Sequence, residues 1–293
     1  MPHPLLQRLL PDPIPALHPL PEYLVEGECA ATYAAMKQAL QVPWMGVVTM
    51  AYAHYPTFFR VLWQGLEPVV RSRAFVEHCR AVRAQAEQAA LRLHPASLLP
   101  ALRGLGYAPR ELDAIRELLE VFSHGNQPYL LIASIARLLL EGGELDGTGD
   151  VAPFQGQHGP RPVGALVLME AHHADAPTRA LYADIQRTLR LPFVNTDYRA
   201  LARWPSYFST AWHQLAPHVR SDAYRQICDE LHAEVLQRVT HALPNPAGLR
   251  GEALRQAAAA DAPLDELVAV ARLFQWLLPG LVTNVALLRA QLT

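Results

Sequence analysis

The chain has 293 residues, 51% of them hydrophobic and 18% charged, with a formal net charge of −2. That length can bury one substantial core, or two smaller ones packed together. The near-neutral balance leaves no broad basic surface, which excludes nucleic acid and anionic lipid as principal partners.

The opening stretch, MPHPLLQRLLPDPIPALHPLPEY, is interrupted by prolines and has no unbroken apolar run. Residues 1–22 therefore read as an arm wrapped on the surface, neither signal peptide nor membrane span. A first helical region is expected over residues 23–145. In it ATYAAMKQAL and FVEHCRAVRAQAEQAALRL carry apolar residues at helical spacing. Gly104 and Gly106 in RGLGYAP mark a turn before the next helix. Stretch 111–141 is apolar on most faces, the pattern of a central helix shielded by amphipathic ones. Residues 146–165, rich in Gly and Pro, read as a linker. A second region follows over 166–293. Its SYFSTAWHQLAPHV and YRQICDELHAEVLQRVTHAL are amphipathic, and 264–292 is again apolar on most faces. No strand-like alternation or βαβ rhythm appears, so the expected fold is all-α with short proline-ended turns. Cys29, Cys79 and Cys228 are far apart and form no CxxC pair, which argues against a structural zinc or a thioredoxin-like site. Their odd, sparse count leads us to expect a reducing cytoplasm.

The two regions are copies of each other. A shift of 149 residues aligns Tyr33–Cys79 with Tyr182–Cys228 without a gap, giving 16 identities in 47 positions. They include Pro43/Pro192, Pro56/Pro205, Trp63/Trp212, Pro68/Pro217 and Ser72/Ser221. More weakly, ELDAIRELLEVFSHGNQPYLLIASIARLLL matches ELVAVARLFQWLLPGLVTNVALLRAQL, pairing Gly125 with Gly280 and Asn126 with Leu281. The period far exceeds that of a solenoid. Two homologous helical repeats packed as a pseudo-dimer, about an approximate two-fold axis, are expected.

The copies differ where chemistry would need them to. Gly46-Val47-Val48 stands where the second copy has Asn195-Thr196-Asp197. Taken alone, Asp197 is an acid in the first turn of a helix capped by Asn195 or Thr196, where free amides and the helix dipole favour a carboxylate. Taken with the repeat, each half holds one polar residue where its sister is apolar: Asp197 in one, Asn126 in the other. Facing each other across the axis, they would share one apolar pocket. There the acid could take a proton from a water that the amide orients.

In this order, QVPWMG, HGNQPYLL and NTDYRALARWP resemble the group I 2-haloacid dehalogenases, all-α and internally duplicated enzymes, over roughly Glu22 to the C-terminus. The resemblance implies hydrolysis of short 2-haloalkanoic acids with inversion at C2, by directly activated water and without an ester intermediate. The family's essential Asp falls on Asp197 and its Asn on Asn126. Pocket-lining aromatics fall on Trp44 and Tyr129, and the C-terminal wall on Phe274, Leu277, Leu278 and Leu281. Thr196 replaces a family Ser, keeping the hydroxyl. Val47 replaces an aromatic residue, which implies a wider pocket beside Trp44. His124, Gln127 and Trp276 also depart from the family pattern. Asn195, bulkier than the small residue of non-selective members, implies preference for D-2-haloacids. Arg199 is a candidate for the substrate carboxylate, or a solvated surface arginine. The resemblance implies no cofactor and no metal, a small 2-haloacid as the partner, and a homodimer.

Other motifs read as structural. EAHHAD lies just after the linker without an HExxH pattern and reads as solvated surface. Ser123 and His124 are neighbours that point apart on a helix, and G-x-S-x-G is missing. Trp63 and Trp212, present in both copies, read as core, whereas Trp44 suits core and pocket equally. A relation to alkylhydroperoxidase-type bundles would require paired cysteines. The non-enzymatic alternative is a helical protein that binds small carboxylic acids or serves as a scaffold.

Overall fold

A computed structural model describes residues 6–149, 151–161 and 166–293; parts of the predicted arm (1–5) and linker (150, 162–165) lie outside the described residues. The described residues are all-α. The first region forms α1 (Gly27–Leu40), α2 (Val47–Tyr52), α3 (Pro56–Val70), α4 (Arg73–Leu91), α5 (Leu99–Gly104) and α6 (Pro109–Leu140). The second forms α7 (Ala176–Leu189), α8 (Thr196–Leu201), α9 (Pro205–Val219), α10 (Asp222–Gln237), α11 (Gly251–Asp261) and α12 (Leu264–Ala290). Shifted by 149, the bounds of α1, α2 and α3 coincide with those of α7, α8 and α9.

The shared boundaries have shared local causes. Pro56 and Pro205 open α3 and α9 at the first helical position, where a missing N–H costs nothing. Ser72 and Ser221 cap α4 and α10, each hydroxyl accepting from a backbone N–H at 3.2 Å. Gln41 and Arg190 end α1 and α7 in the left-handed region, with φ of 51° and 56°. The helical spacing had not marked α5 or α11. The amphipathic run of α10 ends in a π turn, Arg238–Ala242.

The two apolar stretches become α6 and α12, which pack on each other more extensively than any other pair. Helices of each region also reach into the other: α4 lies on α12, and α11 on α3 and α6. By length and composition α12 could cross a membrane, but most of it is buried inside the bundle, as the core helix of this fold.

The described arm is more than a surface wrap. Leu6 joins the core, His232 bonds the Leu6 carbonyl at 2.7 Å, and the buried Arg137 donates to the Gln7 carbonyl at 2.9 Å. The linker is likewise docked. Arg73 N–H donates to the Ala152 carbonyl, Phe154 N–H to the Arg71 carbonyl, and Gln41 Oε1 accepts from the amides of His158 and Gly159.

Gly125, inside α6, faces Trp44: a Cβ there would lie 2.3 Å from the indole Cη2. Its counterpart Gly280 has only the Tyr224 hydroxyl at 3.0 Å. Gly125→Ala is therefore expected to lose about 1–3 kcal/mol by overpacking. Gly280→Ala should stay within about 1 kcal/mol of the parent, because alanine's helix propensity offsets a mild contact. Urea unfolding of the two variants measures the difference.

Candidate active site

The short α8 begins with Thr196, so Asp197 sits in its first turn, 3% exposed. From α6 comes Asn126, also 3% exposed. Its Nδ2 donates to Asp197 Oδ1 at 2.7 Å, joining side chains 71 residues apart in sequence. They meet at a cavity of about 30 Å³. Its wall contains every residue that the resemblance assigned to the pocket wall, namely Trp44, Val47, Tyr129, Asn195 and Thr196, with Phe274, Leu277, Leu278 and Leu281 from α12. Gly46 and Val48 complete it. Sequence reasoning used those two only as the counterparts of Asn195 and Asp197. The signal that would have placed them was the duplication itself, since both members of the pairs Val48/Asp197 and Asn126/Leu281 line one cavity.

The structure bears on three expectations. Helix-start amides were expected to favour the ionised acid. Burial outweighs them and pushes the Asp197 pKa up to about 6, against lowering by the Asn126 bond and the residue's own backbone N–H. A wider pocket beside Trp44 was expected from Val47. The cavity around Asp197 is small, with room for about one or two waters and too little for a haloacid, while a second cavity of about 1050 Å³ opens against Trp44 and Val47. Arg199 does not line the cavity around Asp197: the guanidinium donates to Glu170 Oε1 at 2.6 Å.

Aromatic packing fixes the first-region wall. Tyr129 Oη donates to the Trp44 carbonyl at 2.7 Å, and its ring covers Gly46, where a Cβ would come within 2.9 Å. Trp44 also packs edge-on against Phe122, with centroids 5.0 Å apart, so it serves core and pocket together. On the second-region side, Tyr198 follows the acid and accepts from Asn284 Nδ2 at 2.8 Å, while Tyr224 donates to Asn284 Oδ1 at 2.7 Å. This buried chain ties α8 to α12 and α10. The single-residue reading of the sequence had not picked it out, although Asn284 is the counterpart of Tyr129 in the weaker match. Asn195 is the N-cap of α8 without a side-chain cap bond, and its Oδ1 is buried with no partner among the described residues. Such an acceptor costs about 1–3 kcal/mol if left dry, so a cavity water or a ligand would relieve it.

The remaining sequence readings also have places. His172 and His173 are exposed, and no metal-holding group of His, Cys, Asp or Glu occurs among the described residues. Ser123 accepts from Arg289 at 2.9 Å, while the His124 ring bonds the Leu40 carbonyl at 3.0 Å, so the two do not pair. Trp63 and Trp212 are core residues, and Trp212 donates to Asp184 at 2.8 Å.

The folded state holds the Asp197 proton more tightly than the unfolded chain does. Its contribution to stability is complete below about pH 3.8, fades as pH rises, and is gone above about pH 6. That shift corresponds to about 3 kcal/mol of strain at neutral pH. Asp197→Asn is therefore expected to stabilise the fold at pH 7.5 by on the order of 1–3 kcal/mol, with the gain shrinking towards pH 4. Loss of stability in a chemical melt would mark Asp197 as a mere capping acid.

Comparison with known proteins places this geometry in a lineage. Residues 43–191 match the family model described as halocarboxylic acid dehydrogenase DehI. The chain is 47% identical over 248 residues to an (R)-2-haloacid dehalogenase of Rhizobium sp. (strain NHG3), covering 84% of this chain and 96% of that one. It is 35% identical over 291 residues to the (R)-2-haloacid dehalogenase of Pseudomonas putida, covering 96% and 95%. A D-2-haloacid dehalogenase mutant solved in complex with D-2-CPA superposes with a TM-score of 0.87 at 33% identity, over 95% of this chain and 97% of that one. With the paired acid and amide enclosed between α6, α8 and α12, these similarities show that the chain belongs to the group I 2-haloacid dehalogenase family.

Proposed function

We propose that this protein hydrolyses short 2-haloalkanoic acids to 2-hydroxy acids with inversion at C2, preferring D substrates. The observation that carries the reading is the 2.7 Å bond between Asn126 and Asp197 inside a small, mostly apolar cavity. Asp197 has its pKa near 6, so it is largely ionised at neutral pH and still basic enough to accept a proton. Asn126 holds one carboxylate oxygen and leaves the other for water.

Water then attacks C2 from the side opposite the halogen. The C–O bond forms as the carbon–halogen bond breaks, the halide leaves with the electron pair, and Asp197 takes the water's proton. In-line displacement inverts the carbon and forms no bond between enzyme and substrate. Alignment and exclusion of bulk water supply most of the advantage. Ring edges of Trp44, Tyr129 and Phe274 suit a departing halide. The polar atoms of Thr196 and Asn195 are the nearest partners for the substrate carboxylate. Arg199, engaged with Glu170, is not among them. The cavity is too small for the acid as it stands, so binding displaces part of the wall.

The same reading treats the chain as two repeats, 23–145 and 166–293, facing each other across a pseudo-two-fold axis, with the linker between them. The coincident helix bounds and the shared cavity support it. A homodimer and a cytoplasmic location belong to this reading as well.

Halide release from short 2-halo acids tests the activity; binding without release would leave a carboxylic-acid binder. Asp197→Asn and Asn126→Ala are each expected to lower turnover by at least about a hundredfold while the helical signal is kept. Below about pH 6, kcat/KM should fall about tenfold per pH unit as Asp197 gains its proton.

Asn195→Ala is expected to raise the turnover of L- relative to D-2-chloropropionate, measured by chiral analysis. In a single turnover in ¹⁸O-water the label should appear in the product. Label confined to the enzyme would overturn direct attack.

A further inference from the structure

The reactive cavity is small and lined by buried residues, Val47 excepted, and two larger cavities share its wall. One, of about 1050 Å³, shares Trp44, Val47 and Thr196. The other, of about 590 Å³, shares Asn195, Leu277 and Leu281. Their ionisable linings differ. Around the larger one stand Glu22, paired to Lys37, and Glu170, paired to the single lining arginine, Arg199. Around the smaller one stand Arg8, Arg190, Arg220 and Arg225, against Asp12 and Asp229. Of these, Arg8 is nearly buried and pairs with Asp229 at 3.1 Å, whereas Arg190, Arg220 and Arg225 are exposed at the rim; Arg225 pairs with Asp222 at 3.0 Å and Arg220 lies 3.8 Å from Asp184, while Arg190 has no ion pair among the described residues.

We propose that the arginine-rimmed cavity between the N-terminal arm, α7, α10 and α12 is the route by which the anionic substrate reaches Asp197, with Asn195, Leu277 and Leu281 as its inner gate. The inference rests on the dehalogenase reading for its ligand, a small carboxylate. A haloacid is an anion at neutral pH, and a rim that carries an unpaired cation, Arg190, steers it inward. The larger cavity, though roomier, offers an anion only Arg199, which Glu170 already holds. At the inner end stands Asn195, its buried Oδ1 without a partner among the described residues. The side chain belongs to both cavities, so its movement would connect them. The arm forms the outer wall: Arg8 Nε donates to the Trp276 carbonyl at 2.9 Å and its guanidinium lies over the Trp276 ring, 5.3 Å from the centroid. Its exposed rim charges act at a distance and are screened by salt.

Stopped-flow association of D-2-chloropropionate with Asp197→Asn protein, followed by tryptophan fluorescence, separates arrival from chemistry. In that background the association rate should fall as salt is raised. Arg190→Glu with Arg225→Glu should slow it by about fivefold or more at low salt and flatten the salt dependence. His172→Glu, on the rim of the larger cavity, should leave the rate unchanged. An unchanged rate in the arginine double variant, or a slowed rate only in His172→Glu, overturns the route. Failure of the dehalogenase reading shows separately, as binding to the parent protein without halide release. No binding at all overturns both.

Discussion

The structure is organised around a carboxylate that has no counter-cation. Asp197 is buried among apolar side chains and receives one side-chain hydrogen bond, from an amide. A neighbouring arginine would cure the desolvation and also remove the basicity, since ion pairing lowers a carboxylate's pKa. An amide donor is a compromise. It orients the acid, lowers the pKa in part, and leaves burial dominant. The chain has no shortage of arginine, and Arg199 lies only two residues on, yet its guanidinium is turned to Glu170. Keeping cations off Asp197 is thus a structural requirement, and the surrounding wall of Val48, Phe274, Leu277, Leu278 and Leu281 meets it.

On the proposed two-repeat reading, duplication explains how so strained a group can be tolerated. A symmetric pair would place Asp or Val at both equivalent positions: two acids would repel each other, and two valines would do no chemistry. Divergence gave one copy the acid and the other the amide, while both copies retained the same cap serines, helix-opening prolines and left-handed helix ends. Local structure was conserved between the copies where it fixes the backbone and relaxed where it faces the cavity. Gly46 shows the same logic in the first copy, because only a residue without Cβ lets the Tyr129 ring lie where it does. Its counterpart Asn195 has no such ring above it, and there Asn284 instead binds Tyr198 and Tyr224.

Much of this was legible in the sequence because the chain contains its own comparison. Helix type and the central place of α6 and α12 followed from periodicity, and α1 to α4 could be checked against α7 to α10. The pairing of Asp197 with Asn126 followed from asymmetry alone; Trp44, Tyr129 and the α12 wall needed the family resemblance. What the sequence hid were balances between opposing terms. Whether an acid in a first turn is ionised depends on burial against donors, and burial is a tertiary property. Cavity size depends on how side chains close in, so the space beside Val47 lies in a neighbouring cavity and not around Asp197. α11 escaped notice because GEALRQAAAAD is alanine-rich and its apolar stripe is weak, while its contacts with α3 and α6 come from elsewhere in the chain.

The difference between the copies extends to their outer surfaces. Leu189, Arg190 and Leu191 at the arginine-rimmed cavity correspond to Leu40, Gln41 and Val42 of the first copy. There Gln41 Oε1 binds two linker amides, the His158 ring bonds the Ala39 carbonyl at 3.2 Å, and the His124 ring bonds that of Leu40. Linker residues therefore cover in the first copy the surface that borders a cavity in the second. The arm takes the linker's place on the second copy but makes a looser cover: Leu6 and Gln7 are anchored to His232 and Arg137, and the chain beyond Arg8 runs along the cavity wall. Two copies of one surface, one sealed and one walled by an arm, would give a single chamber a single approach. That suits a reaction in which bulk water must be kept out while one small anion is let in.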